Sequence, residues 1–544
     1  MGANSNAPRG EFNQSLNEPA EQPFLVDVLS RRQKLELRLL LFIWGTTVAL
    51  FWCWWLDPAH VDGVLRFTLN SLVLCWPFLL TGYFFYFVHR MKRPNPDLAI
   101  PAGLRVAMIT TKTPNEPFAI VRHTLSATLA QQYPHDTWLA DEDPTPDTMA
   151  WCAEHGVRVS TRRGVEAYHR STWPRRTRCK EGNLAYFYDT YGYDTYDIVV
   201  QLDADHAPAS TYLEEMLRPF ADPAVGYVSA PSICDANAGD SWTARGRVNT
   251  EGSLHGALQA GYSAGWAPLC IGSHYAVRTA ALREIGGLGP ELAEDHSTTL
   301  LMNAQGWRGV HAFEATAHGD GPVSFTDCMT QEYQWARSLA TILLTLTPRH
   351  WRRLPARLKL QFVFSQLWYL LFGLVMLTGH VMPIVALPTR HPWASVDYVA
   401  FVCFTALVTI STLAIVFWLK RQGWFRPRDS SPLCWEAVLF QYARWPWVLL
   451  GSLTAILDVV RHTTTEFRVT PKGRERAQAL PVRVLVPYAL LGVILSAAAL
   501  LTPDAGNAAG YLYFAIIDST VYVAVIGVVI LRHVVESTGR RERR

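Results

Sequence analysis

The sequence predicts an α/β domain with a mainly parallel sheet, inserted into an α-helical transmembrane bundle of about six spans. Three observations predict it. Apolar runs long enough to span a bilayer lie before residue 94 and after residue 360. Between them, residues 100–325 have mixed polarity and alternate short β-branched runs with helix-like segments. Only 17% of the 544 residues are charged, whereas 49% are hydrophobic, which is a membrane-protein balance. A net charge of +3 leaves no basic footprint for nucleic acid, so none is expected as a partner. The 9 Cys contain no CxxC pair, and Cys53, Cys75 and Cys403 sit inside apolar runs, so they read as reduced core thiols.

In chain order, residues 1–36 are polar and read as a flexible cytosolic tail without the apolar core of a cleavable signal. Residues 37–93 hold a transmembrane helix pair, the runs 39–56 and 67–88. Arg31, Arg32, Lys34 and Arg38 precede the pair, and His89, Arg90, Lys92 and Arg93 follow it. Basic residues on both outer flanks put the N-terminus and residue 90 onward in the cytoplasm. Residues 94–328 form the α/β domain, with strands near 105–110, 137–140, 157–160, 197–202 and 225–230. Residues 329–360 read as amphipathic interfacial helices whose basic cluster 349–359 suits the inner membrane face. A second pair of spans occupies 361–420. In 421–480, the run 437–460 is long enough to span, but Arg444 and Pro446 interrupt it, so an interfacial or re-entrant segment is expected. Residues 481–544 form the last pair of spans and a basic cytosolic tail. The bilayer is thus the first partner, and the protein is expected to be multi-pass in the plasma (inner) membrane with both termini cytosolic.

The chemistry centres on 196–210, YDIVVQLDADHAPAS. A buried strand ends there in Asp203-Ala204-Asp205, and carboxylates two apart at a strand end can share one hard cation, Mg²⁺ or Mn²⁺. Ligands of open α/β sheets lie beyond the carboxyl ends of the strands, where this pair falls. By itself the triplet reads more readily as a loop opening on two solvated aspartates. Upstream, Asp141-Glu142-Asp143 follows the second strand and could accept hydrogen bonds from a base or ribose. Lys180-Glu181-Gly182-Asn183 opens a helix, where a Lys beside a Gly can meet a phosphate. Downstream come Cys270-Ile271-Gly272-Ser273, then Glu294-Asp295, whose Asp295 is the candidate general base for a sugar hydroxyl. Gln331-Glu332-Tyr333-Gln334-Trp335 offers an aromatic ring to a sugar face, and 467–473 reads FRVTPKG.

Together these motifs resemble processive family-2 glycosyltransferases, cellulose synthases most of all, with kinship to hyaluronan and chitin synthases. The family's ordered series is an acidic uridine motif, KxGN, DxD, a (T/E)ED base motif, Q(Q/R)xRW and a gating FxVTxK. It is met here by 141–143, 180–183, 203–205, 294–295, 331–335 and 467–472. DADHAP is close to the family's DADHVP. The resemblance implies a GT-A (Rossmann-like) cytosolic domain, a UDP-sugar donor and a growing polysaccharide acceptor. It also implies inversion to a β-linkage and extrusion of the polymer through the spans. Carried over by position, Asp141, with Asp143 as second candidate, would contact the uridine, and Lys180 and Asp203 the nucleotide. Asp203 and Asp205 would bind metal, and Asp295 would be the base. Trp335 would be the acceptor platform, with Gln331, Gly272 and Ser273 beside it. Thr470 and Lys472 would close on the nucleotide.

Three departures matter. Gln334 stands where the family has Arg, and Arg337, one helical turn on, is the candidate substitute at the diphosphate. The uridine motif is DED rather than DDG. No PilZ domain follows the last span, so control through one is not expected. Glucose is the favoured sugar, and export or periplasmic subunits are possible partners. Two competing functions are a non-processive membrane glycosyltransferase acting on a lipid carrier and an inactive export scaffold.

Overall fold

The computed structural model describes residues 23–290, 293–463, 479–502 and 504–542. Its central sheet has seven strands: β1 (Val106–Lys112), β2 (Asp136–Asp141), β3 (Arg158–Ser160), β4 (Ile198–Leu202), β5 (Val225–Ser229), β6 (His274–Arg278) and β7 (Arg308–His311). They lie in the order β7-β5-β6-β4-β1-β2-β3. β6 is antiparallel to β4 and β5, and every other pair is parallel. The five strands read from sequence are present, while β6 and β7 are additional and make the sheet mixed.

Side chains alternate between two cores, as the period of two in a strand requires. Met108, Val200, Val228 and Ala276 face one way, packing on Tyr212, Leu213 and Met216 of the helix Tyr212–Leu217. Ile109, Val199, Tyr227 and Tyr275 face the other way, onto Leu184, Phe187 and Met302. With both faces covered, the strands are buried throughout, which is why they read as apolar runs rather than alternating ones.

The helices that frame the site are, in chain order, α1 (Arg31–Trp55), α2 (Val64–His89), α3 (Lys180–Phe187), α4 (Trp242–Ser253) and α5 (Glu294–Ala304). Beyond them come α6 (Phe325–His350), α7 (Ala356–Thr389), α8 (Tyr398–Arg421), α9 (Trp435–Arg461), α10 (Val486–Leu500) and α11 (Ala509–Glu542). Among the described residues, 6 stretches are long and apolar enough to cross a membrane: α1, α2, α7, α8, α9 and Gly506–Thr538.

Three expectations need correction. Residues 25–36 are not tail: Leu25–Asp27 pairs antiparallel with Lys92–Pro94, and a Ser30–Gln33 capping box starts α1 at Arg31. The run 437–460 is part of one continuous 27-residue helix, not a re-entrant segment. Its charges are accommodated by neighbours: Arg444 lies 3.8 Å from Glu332 and over the ring of Phe372, and Glu436 accepts from Arg245 at 2.8 Å. A Cβ on Gly451 would stand 2.3 Å from the carbonyl oxygen of Tyr333, so α9 and α6 touch backbone to backbone. Finally, the run 482–501 yields only a 15-residue helix, α10, after a short 3₁₀ turn.

Candidate active site

Register explains why motifs far apart in sequence meet. Because β6 pairs antiparallel with β4, His274 stands opposite Leu202, and the segment before β6 crosses the end of the Asp203 strand. The Asp203 N–H donates to the Ser273 carbonyl at 2.7 Å. Lys180, at the start of α3, reaches the same spot. Its Nζ lies 2.7 Å from Asp203 Oδ1, donates also to the Gly272 carbonyl, and stands 3.9 Å from Glu294 Oε1. One ammonium therefore ties three sequence motifs together.

Each residue of the 180–183 motif has a separate task. Glu181 accepts from the backbone N–H groups of Arg175 (2.8 Å) and Arg176 (3.1 Å). Gly182 admits the incoming loop, since a Cβ there would be 2.0 Å from the Arg176 carbonyl oxygen. Asn183 donates to Ala140 at 3.0 Å, anchoring α3 beside the acidic motif at the end of β2.

In that motif only Asp141 points inward. It is fully buried, 3.1 Å from Lys112 Nζ, and its Oδ1 accepts the Asp143 N–H at 3.0 Å. Its Oδ2 is buried without a hydrogen-bond partner among the described residues. Asp143 lies at the surface, paired with exposed Arg163 at 2.9 Å. Glu142 pairs with Arg162, whose buried guanidinium also holds the carbonyls of Tyr168 and Arg176.

Glu294 and Asp295 occupy the first turn of α5. Asp295 Oδ1 accepts the His296 N–H at 2.7 Å, and a Cβ on Gly272 would lie 3.2 Å from its Oδ2. Burial raises both carboxyls above the usual carboxylate range, against the downward pull of Lys180. A raised carboxyl is suited to taking a proton near neutral pH.

Asp203, Asp205 and His206 bring ligand atoms within 4.8 Å of one another. Two carboxylates and an imidazole fit a small divalent cation such as Mg²⁺ or Mn²⁺. Asp205 also contacts His206 Nδ1 at 3.2 Å and accepts the Asp320 N–H at 3.2 Å. His206 lies in the quoted motif, yet sequence reading left it without a role. The signal was its place directly after the second carboxylate.

The acceptor candidates divide: Gly272 and Ser273 lie in the Lys180 cluster, whereas Gln331 and Trp335 lie on α6. Trp335 is half-buried, and the Arg247 guanidinium of α4 lies over its ring, 4.3 Å from the centroid. Arg247 Nη1 donates to Gln331 Oε1 at 2.5 Å, and its charge is met by Glu251 at 3.2 Å and Glu332 at 3.5 Å. No sequence signal marked Arg247. Arg337 does not join the Lys180 cluster: its Nε donates to Asp458 of α9 at 2.7 Å. Thr470 and Lys472 lie outside the described residues.

Residues 198–420 match the family model described as Glycosyl transferase family group 2. The chain is 27% identical over 296 residues to the cellulose synthase catalytic subunit (UDP-forming) of Xanthomonas axonopodis pv. citri strain 306, covering 52% of this chain and 37% of that one. It is 25% identical over 380 residues to the corresponding subunit of Pseudomonas fluorescens strain SBW25, covering 64% and 48%. These matches support a cellulose-synthase-like family-2 glycosyltransferase. The chain spans less than half the length of those curated relatives. A solved structure similar to it is the mannosyltransferase PcManGT from Pyrobaculum calidifontis, in complex with GDP-Man and Mn²⁺. The two are 15% identical, with 84% and 98% of the chains covered and a TM-score of 0.37. The Asp203-Ala204-Asp205 motif stands just past the end of β4, the central strand of the seven-stranded mixed sheet.

Proposed function

We propose that the protein is a processive, inverting membrane glycosyltransferase that polymerises a UDP-hexose, UDP-glucose above all, into a β-linked polysaccharide and extrudes it through its own spans. The observation that carries this is the Lys180 cluster. It sets a cation and the DxD carboxylates beside a half-buried Asp295 in one site. Asp295 takes the proton of the acceptor hydroxyl as that oxygen attacks the anomeric carbon, and the bond to the UDP oxygen breaks on the opposite face. Lys180 offsets the negative charge that collects on the leaving diphosphate, the main electrostatic demand of the step. A divalent cation held by Asp203, Asp205 and His206 would add positive charge to the same diphosphate. Asp141, whose Oδ2 has no partner among the described residues, would accept from the uracil or ribose. Trp335 offers an apolar ring face to the terminal sugar of the acceptor.

The orientation goes with this function: catalytic domain and both termini in the cytosol of a cell whose inner membrane holds the spans. The test is sugar incorporation by purified protein in vesicles. UDP-glucose, UDP-N-acetylglucosamine and UDP-glucuronate are supplied in turn with Mg²⁺ or Mn²⁺, and Asp295→Asn serves as control. High-molecular-weight product from one donor, lost in that variant, supports the reading and names the sugar. A lipid-soluble product carrying a single sugar would replace it with transfer to a lipid carrier.

A further inference from the structure

A cavity of about 340 Å³ lies where the central sheet meets the spans, and its lining includes no residue of the Lys180 cluster. Four cations line it: Arg90, Lys92, Arg308 and Arg357. No carboxylate does. Its place in the fold is specific. Arg90 caps the C-terminal end of α2, and Arg357 lies in the first turn of α7, so the cavity opens between the ends of two candidate spans. Arg308 comes from β7, the edge strand of the catalytic sheet.

The charges are not all spoken for. Lys92 pairs with Asp27 at 3.0 Å, and Arg308 pairs with Asp222. Arg90 and Arg357 make no ion pair among the described residues; Arg90 has only the ring of Tyr86, 5.3 Å away. The apolar part of the wall is Phe24, Leu25, Ala264, Trp266, Val310 and Leu358, of which Trp266 and Leu358 lie beside the span ends. Trp266 packs edge-on against Phe87 of α2 at 4.9 Å, where an interfacial Trp belongs. Arg90 and Arg357, the two cations without a carboxylate partner among the described residues, leave positive charge in this space that an entering anion would offset. A tethered anion whose chains leave along Trp266 and Leu358 satisfies both kinds of wall at once.

We propose that this cavity binds the phosphoryl headgroup of an anionic membrane lipid, with Arg90 and Arg357 as its principal contacts. The proposal rests on the membrane placement given above. It is independent of the sugar transferred, and basic pockets between span ends are apt sites for acidic headgroups.

The experiment is lipid retention by the full chain, read by native mass spectrometry after purification from vesicles of phosphatidylcholine with added phosphatidylglycerol. Wild type is expected to retain phosphatidylglycerol, and Arg90→Gln/Arg357→Gln to retain about thirtyfold less, the effect of removing two interfacial cations. Arg352→Gln/Arg353→Gln removes the same charge from the exposed surface outside the cavity and is expected to retain as wild type does. Equal retention by wild type and the cavity variant overturns the proposal. So does an equal loss in the control, which would mean a diffuse basic surface. Displacement of the lipid by inorganic phosphate, with phosphate alone raising the unfolding temperature in detergent, would replace the headgroup by a soluble phosphate. No donor sugar is present, so a failure of the polymerase reading leaves this result interpretable.

Discussion

The guanidinium of Arg247 stacks 4.3 Å from the centroid of the Trp335 ring, so a cation from α4 covers one face of the indole on α6. The pair is buried among opposite charges, Glu251 and Glu332, with Arg444 on the far side of Glu332. Removing Arg247 would leave Glu332 with Arg444 alone and Glu251 with His255 alone as ion-pair partners among the described residues. Arg247→Ala is expected to lower stability by about 3–5 kcal/mol, and Arg247→Lys by less, because Lys keeps the charge but loses the planar stack. Thermal unfolding in detergent micelles measures both. Trp335→Ala should reduce polymer formation more than donor hydrolysis, since water needs no ring to stack on.

Lys180 and Arg337 separate cleanly in space and should separate in kinetics. Lys180→Met is expected to cut transfer by roughly 10²–10³-fold, the range for losing one preorganised charge at a leaving group. Arg337 is engaged by Asp458, so Arg337→Ala and Asp458→Ala should have matching effects on stability and on turnover. An Arg337→Ala enzyme as slow as Lys180→Met, with Asp458→Ala unaffected, would return Arg337 to the diphosphate.

The pH profile follows from Asp295. Under the proposed mechanism it must be ionised to act as base, and burial raises its carboxyl above the ordinary Asp value of about 3.9. More of it is therefore protonated at a given acid pH. The rate should fall as pH drops through this raised value, giving an acid limb higher than an exposed Asp would produce. Asp295→Asn should lower transfer by about 10²–10⁴-fold and abolish that limb.

Two glycines should fail in different ways. Gly272→Ala places a Cβ 3.2 Å from Asp295 Oδ2, pressing on the base. Several-fold slower transfer with an unchanged unfolding temperature is expected. Gly182→Ala meets the Arg176 carbonyl oxygen at 2.0 Å, a backbone atom that cannot swing aside. It should destabilise by about 1–3 kcal/mol before any kinetic effect is seen.

Much of the site was legible because its residues carry local signatures. Asp203, Asp205, Lys180 and Asp295 sit at strand ends or helix starts, positions marked by periodicity and by short motifs. Arg247 was not, because a cation in a helix gains meaning only from the ring opposite it, 88 residues away in sequence. The difference between Asp141 and Asp143 was equally hidden. Both belong to one acidic triplet, and only the turn after β2 sends one under Lys112 and the other to Arg163.

Periodicity and hydropathy, which are properties of neighbouring residues, by themselves determined the strand–helix alternation, the apolar runs and the order of the motifs. Tertiary structure alone decided the antiparallel β6, which closes the gap between Gly272 and Asp203, because strand direction depends on a partner and not on local sequence. It likewise made α9 one helix through Arg444 and Pro446. The charge that interrupts the apolar run is neutralised from outside it, by Glu332 of α6, and no window along one segment contains that partner.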